Sequence, residues 1–153
     1  MSRPRLFHLL HLSHRAVFRA ADRALSARYG VTAAQQGALM FLAENEGASM
    51  GALADAVGLK GAATSGLVDR MEKKDLISRR RASEDGRSFA LFLNPAGHEV
   101  VQASRSLIKE SNQTLLEGYN ISEQKILADF LATIIKRADA FHPIDNQQEI
   151  NHD

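Results

Sequence analysis

The fold of this chain is decided by residues 49–94, SMGALADAVGLKGAATSGLVDRMEKKDLISRRRASEDGRSFALFLN. Ser49 is a favourable N-cap for a first helix, which Gly58 is expected to end. A second helix is predicted from about Gly61 to Lys74, directly after a tight turn. Two short helices joined in this way indicate a helix-turn-helix.

The residues after Asp75 change from helical periodicity to alternation. Two strands are predicted, over residues 76–81 and 89–93, and they bracket the charged loop 82–88. Residues 47–50 are expected to form a short first strand. A hairpin that follows a helix-turn-helix makes a winged helix, so the predicted fold class is mainly α with a small β-wing.

The second helix divides into two faces when its residues are placed at about 100° per residue. The apolar face, predicted to pack inside, contains Thr64, Leu67, Val68 and Met71. An α-helix fits the major groove of DNA, with its N-terminal half against the bases. We therefore predict base contacts from Ala62, Ala63, Ser65 and Gly66, and phosphate contacts from Lys60, Arg70 and Lys73. Because only Ser65 among the first group has a side chain that can hydrogen-bond a base, sequence reading by these four should be weak and rely on DNA shape.

The hairpin is expected to complete the DNA-binding surface. Arg87 is predicted to enter the minor groove at its tip, oriented by Asp85. Asp69 is a carboxylate on a face meant for phosphates, and it is expected to pair with an arginine of the hairpin. The full predicted set of DNA-binding residues is Ser49, Lys60, Ala62, Ala63, Ser65, Gly66, Arg70, Lys73, Arg79, Arg81, Asp85 and Arg87.

Positive charge is concentrated in this part of the chain. The whole sequence has a formal net charge of only +1, but residues 60–87 contain eight Lys and Arg against five Asp and Glu, a local excess of three. A local basic surface on a helix-turn-helix and its wing is typical of DNA binding.

The order of the motifs resembles the MarR family of bacterial transcriptional regulators. The matching residues run from Thr32-x-x-Gln35 through Leu53-Ala54, Leu67-Val68-Asp69-Arg70-Met71-Glu72, Leu76-Ile77-Ser78-Arg79, Asp85-Gly86-Arg87 and Leu93-Asn94-Pro95-Ala96-Gly97. The resemblance implies a dimeric winged-helix regulator, and many such proteins release DNA when a small ligand binds. Asn94 replaces a usual threonine and Asp75 a frequent glycine, and the second helix opens with small residues.

The flanking segments are predicted to form a helical dimerisation region. Residues 4–29 read as one long helix, and residues 95–141 as two helices, the first opened by Asn94 and Pro95 and the second capped by Ser122. Both segments are amphipathic although the winged helix-turn-helix, residues 30–94, is complete without them. We therefore expect a homodimer, with residues 142–153 as a polar tail.

Composition restricts the other function classes. Hydrophobic residues make up 44% of the chain, yet no stretch is long enough to span a membrane and no secretory signal is visible, so a cytoplasmic protein is expected. The chain contains no cysteine, which excludes disulfides and thiol-based sensing. No catalytic motif occurs, so neither an enzyme nor a cofactor is predicted.

The first helix carries three histidines at every third position, His8, His11 and His14. Metal binding is one interpretation, but this spacing turns about 120° around a helix, so the three cannot converge on one ion. An alternative is a pocket for an anionic aromatic ligand, lined by His11, His14, Arg15, Met40 and Phe41. Ordinary interface hydrogen bonds are a third interpretation.

These observations predict a sequence-specific regulator, a repressor, that binds a palindromic operator in double-stranded DNA. A small-molecule effector is expected to modulate its affinity. Two alternatives with the same fold stay open, namely a metal-responsive regulator and a winged-helix module that binds proteins.

Overall fold

The computed structural model describes residues 5–81 and 89–138. The elements, in chain order, are α1 (Leu6–Tyr29), α2 (Ala33–Glu44), β1 (Ala48–Ser49), α3 (Met50–Val57), α4 (Gly61–Lys73), β2 (Ile77–Arg81), β3 (Phe89–Leu93), α5 (Pro95–Leu115) and α6 (Ile121–Ala138). The predicted class, mainly α with a small β-wing, is confirmed. The chain divides into two compact units, one up to Ile108 and the other from Lys109 onward.

The sheet of the first unit has the strand order β1-β3-β2, with antiparallel neighbours. Ile77 of β2 pairs with Leu93 of β3, while Ala48 of β1 pairs with Leu91. The short first strand predicted within residues 47–50 is therefore confirmed. Leu91 and Leu93 lie on the same side of β3 and are buried, so this side of the sheet faces the core.

The core of the first unit joins the helix-turn-helix to the helices around it. Leu53 of α3 and Met71 of α4 are fully buried with Leu39 of α2 and Val101 of α5. The hydroxyl of Tyr29, in the last turn of α1, donates to the backbone oxygen of Ala103 at 2.8 Å. Burial of these apolar side chains fixes α4 in the position that presents its other face to solvent.

The junction between α1 and α2 is held by polar contacts. Gly30 ends α1 in the left-handed conformation, at φ 66°, and Thr32 and Gln35 form the predicted capping box at the start of α2. Asp22 of α1 accepts a hydrogen bond from the backbone N–H of Ala33 at 2.6 Å. The N-terminus of α2 is therefore satisfied by its own cap and by a carboxylate of the preceding helix.

The turn between α4 and β2 contains both residues that depart from the family pattern. Asp75 has a φ of 56°, the left-handed region that glycine adopts most easily. The side-chain amide of Asn94 donates to Asp75 Oδ1 at 2.8 Å, and the backbone N–H of Asn94 donates to Leu76 O at 2.9 Å. The two departures thus contact each other, and Asn94 stabilises a turn in which Asp75 replaces glycine.

The second unit differs from expectation at the start of α6. The N-cap is Asn120 rather than Ser122: Asn120 Oδ1 accepts from the Glu123 N–H at 3.0 Å, and Glu123 Oε2 accepts from the Asn120 N–H at 2.8 Å. This reciprocal pair forms because the acidic residue stands three positions after Asn120, the spacing of a capping box. The predicted polar tail lies outside the described residues.

Across residues 5–81 and 89–138, no helix combines the length and the apolar character that crossing a membrane requires.

Candidate DNA-binding surface

The recognition helix α4 begins directly after the turn of the helix-turn-helix. Gly58 ends α3 at φ 66°, and the backbone N–H of Leu59 donates to Ala54 O at 3.0 Å. Lys60 occupies the N-cap of α4 without a side-chain cap. The first N–H groups of α4 are therefore not capped by that side chain, and a helix N-terminus of this kind is suited to an anion such as a DNA phosphate.

The two faces of α4 are those predicted from the sequence. The buried side chains of the helix are Thr64, Leu67, Val68 and Met71. On the opposite side Gly66 is half-buried, and the exposed residues are Ala62, Ala63, Ser65, Asp69, Arg70 and Lys73. The exposed N-terminal half has only small side chains, so the helix backbone itself can approach a groove closely.

Arg79 of β2 joins the wing to the recognition helix. Its guanidinium Nη2 is ion-paired with Asp69 Oδ1, and its Nε lies 3.1 Å from Glu72 Oε2. Its backbone N–H also donates to Glu72 Oε1 at 3.0 Å. The predicted pairing of Asp69 with a hairpin arginine is confirmed, and the charge of Arg79 is balanced inside the chain.

Two further cations of the basic region have neighbours within the first unit. Lys74 Nζ donates to Gly30 O at 2.6 Å and to Gln35 Oε1 at 3.2 Å, so it ties the C-terminal end of α4 to the α1–α2 junction. Arg80 lies over the ring of Phe92, with 4.4 Å between its Cζ and the ring centroid. The local charge excess counted from the sequence is therefore distributed between internal contacts and the exposed surface.

Sequence reasoning missed the parts played by Glu72 and Lys74. Glu72 follows Asp69 by three positions, the spacing that places two side chains on one helix face, so this signal was available. Nothing in the sequence pattern linked Lys74 to Gly30, because the two are 44 residues apart.

Two of the four remaining predicted DNA contacts, Ser49 and Arg81, lie within the described residues. Ser49 is exposed and its Oγ accepts from the Ala52 N–H at 3.1 Å, which confirms its role as an N-cap. Arg81 is exposed at the end of β2. Asp85 and Arg87, assigned to the wing tip, lie outside the described residues.

The predicted ligand-binding residues form two groups. His11, His14 and Arg15 are exposed on α1, and the His14 ring lies 4.3 Å from the ring of Phe18, measured between centroids. Met40 and Phe41 are half-buried against the hydrophobic core. Since the first group is exposed, the single chain described over residues 5–81 and 89–138 does not enclose a ligand around it.

Comparison with known proteins shows that the segment forming this surface is similar to a known family. Residues 29–88 match the family model described as MarR family. A putative transcriptional regulatory protein for the hcr operon of Thauera aromatica is 27% identical over 122 residues, which cover 80% of this chain and 74% of that protein.

Solved structures share the fold. The MepR–DNA complex of S. aureus superimposes with a TM-score of 0.80 at 23% identity, covering 89% of this chain and 99% of MepR. BpsR of Bordetella bronchiseptica, described with regulation of its DNA binding by 6-hydroxynicotinic acid, gives a TM-score of 0.78 at 20% identity, covering 86% of this chain and 99% of BpsR.

The matched segment contains α2, the helix-turn-helix and β2, which are the elements that build the surface described above. Residues 29–88 of this chain thus match the MarR family, and the relatives that share its sequence are described as transcriptional regulators.

Proposed function

We propose that the chain represses transcription in the cytoplasm, as a homodimer bound to a palindromic operator. The observation that carries the proposal is the division of α4, whose apolar face is buried while its opposite face exposes small side chains together with Arg70 and Lys73. A helix of this kind can enter the major groove with cations at the groove edges. A dimer held there would exclude the transcription machinery from an overlapping promoter.

Exposed apolar side chains in both units support the homodimer. On α1, Phe7 is 84% exposed, and it is accompanied by Leu6, Leu9, Leu12, Val17 and Phe18. On α6, Ile121 is 85% exposed, and it is accompanied by Ile126, Phe130, Leu131 and Ile135. Apolar surface of this extent is rarely left in water by a monomer. We assign residues 4–29 and 95–141 to the dimer interface and residues 30–94 to DNA binding, because the same segments of a second copy would cover these side chains.

In this arrangement the two-fold axis of the dimer determines the symmetry and the half-site spacing of the operator. Two recognition helices related by that axis would read half-sites about 34–36 Å apart, one turn of DNA. Lys60 and Lys73, near the two ends of α4, would contact phosphates, while Ala62, Ala63, Ser65 and Gly66 would face the bases. Ser49 and Arg81 would add contacts beside the groove, and Arg79 would act through the wing that it holds on α4.

The experiment that tests this proposal is selection of binding sites by the full chain from random-sequence duplex DNA. We expect enrichment of an inverted repeat with half-sites one helical turn apart. The affinity for that repeat should fall linearly with the logarithm of the salt concentration, because phosphate contacts release counterions. Failure to enrich any sequence over the input library would contradict the proposal.

We further propose that a small anionic aromatic ligand lowers the affinity for DNA. BpsR, which has the same fold, is described as regulated by an aromatic acid, 6-hydroxynicotinic acid. In this chain His11, His14 and Arg15 supply exposed imidazole and guanidinium groups on α1, and Met40 and Phe41 offer apolar surface on α2. A second copy that covers α1 could enclose these groups, so the ligand and the dimer interface would be linked.

A panel of phenolic and pyridine carboxylic acids titrated against the complex with the selected operator would test the ligand. Allosteric coupling is typically 1–3 kcal/mol, so an effector should weaken operator binding roughly 5–150-fold. The double variant His11→Ala, Arg15→Ala should bind the operator normally but lose this response. If the double variant still releases DNA at the same ligand concentration, the ligand binds elsewhere.

A further inference from the structure

We infer that Arg70 reads a guanine in the major groove, rather than serving as a phosphate contact. The inference deepens the proposed operator binding and rests on it. Its starting point is the contact between Arg70 and Gly66, one helical turn earlier. A Cβ built at Gly66 would lie 3.2 Å from Arg70 Nη1, so the guanidinium extends back along α4 and lies against the glycine.

This direction places the guanidinium over the half of the helix that faces the bases. Side chains on an α-helix point toward its N-terminus, and a residue therefore covers the turn that precedes it. The N-terminal half of a recognition helix is the part that meets base edges. An arginine fork in this position can donate two parallel hydrogen bonds to guanine O6 and N7, the commonest specific contact in the major groove.

The other side chains on this part of α4 offer few groups that can hydrogen-bond a base. Ala62 and Ala63 have no polar side-chain atoms, and Ser65 offers one hydroxyl. Small side chains also leave room beside the helix for a guanidinium folded back along it. Without Arg70, this surface could distinguish base pairs only through Ser65, methyl contacts and DNA shape.

Asp69 and Glu72, the carboxylates that stand beside Arg70 in the sequence of α4, are both paired with Arg79. No ion pair of Arg70 occurs within residues 5–81 and 89–138, so its fork-shaped donor can pair with a base.

The contact with Arg70 also gives a physical reason for a glycine at position 66. Glycine lowers helix stability in the interior of a helix. At Gly66, however, an alanine Cβ would meet the guanidinium at a distance tighter than an ordinary contact, so Arg70 would have to move. The glycine therefore lets the guanidinium lie closer to the helix, by a few tenths of an ångström, than an alanine would.

The test compares Arg70→Ala with the matched control Lys73→Ala on the operator selected by the wild-type chain. We expect a G·C pair in each half-site whose replacement by A·T weakens wild-type binding roughly 5–150-fold. Arg70→Ala should bind both duplexes equally well. Lys73→Ala should keep the preference for G·C but reduce the salt slope by about 0.9 per chain, the signature of one lost phosphate contact.

Gly66→Ala provides a second, independent variant. It should reduce the preference for G·C in part, because the guanidinium is displaced and not removed, while thermal unfolding occurs at or above the wild-type temperature. Retention of the full G·C preference by either variant would overturn the inference, as would a wild-type operator with no G·C preference in its half-sites. If Arg70→Ala weakens binding to all duplexes equally and lowers the salt slope, Arg70 is a phosphate contact instead. The proposed operator binding would survive each of these results.

Discussion

Gly97→Ala is expected to destabilise the chain more than alanine at any other described glycine of the first unit. Gly97 is buried in the first turn of α5, where an added Cβ would lie 2.2 Å from Leu76 O and 3.3 Å from Leu93 Cδ2. The first of these atoms is backbone oxygen, and it already accepts the hydrogen bond of Asn94 N–H. Relief would require α5 to move away from the start of β2, at a cost of about 3 kcal/mol.

Urea unfolding of the wild type and the variant would measure this cost. Gly37→Ala is the matched control, because Gly37 is also helical, in α2, and a Cβ there would meet nothing within 4 Å. The control should be stabilised by up to about 1 kcal/mol through the better helix propensity of alanine. Equal free energies of unfolding for the two variants would show that α5 does not pack as described.

Arg79→Ala is expected to cause the largest loss of operator affinity among variants outside the direct contacts. Without the Arg79 guanidinium, Asp69 would lie unpaired on the proposed DNA-binding face, and Glu72 would keep only its bond from the backbone N–H of residue 79. In the dimer each chain would then place one unpaired carboxylate near the DNA phosphates. At about 1 kcal/mol per close pair of charges in water, the two carboxylates together would lower operator affinity roughly 30-fold.

Arg81→Ala removes the same charge from the same strand and serves as the control. Arg81 is exposed and, in our proposal, contacts a phosphate, so its loss should reduce both the affinity and the salt slope. Arg79→Ala should weaken binding more and leave the salt slope nearly unchanged. If fluorescence anisotropy on one operator shows a smaller loss of affinity for Arg79→Ala than for Arg81→Ala, Arg79 does not hold the wing on α4 as proposed.

Local patterns in the sequence were sufficient for the fold of the winged helix. The capping box of Thr32 and Gln35, the helix end at Gly58 and the two faces of α4 are all found where periodicity and turn chemistry predict them. These features depend on residues within about one or two helical turns of each other, which is the range over which sequence spacing determines contact.

The tertiary contacts were less accessible from the sequence. Asp75 and Asn94 were noted separately as departures from the family pattern, and only the structure shows that one donates to the other. The contact of Lys74 with Gly30 could not be predicted from the sequence either, because it depends on how α4 packs beside the α1–α2 junction. The cap of α6 was misplaced for a local reason, since Ser122 and Asn120 are both good caps and only Asn120 has an acid three residues later.

The exposed face of α4 and the pairing of Asp69 with a hairpin arginine were predictable, but the different neighbours of the two arginines were not. Helical periodicity identified the exposed side of α4, yet it assigned Arg70 and Arg79 to DNA on charge alone. Their neighbours differ: Arg79 is bound by two carboxylates, while Arg70 lies against Gly66. Charge counting cannot separate an arginine that holds a wing from one that reaches into a groove, because both add one positive charge to the same region.

The most direct test of the central claim, that the chain binds DNA as a homodimer, is the mass of the complex with the selected inverted repeat. Sedimentation equilibrium at micromolar concentration should give two chains of 16.8 kDa per duplex, and the same two-chain species without DNA. A duplex saturated by one 16.8 kDa chain, with a monodisperse monomer in its absence, would contradict the account.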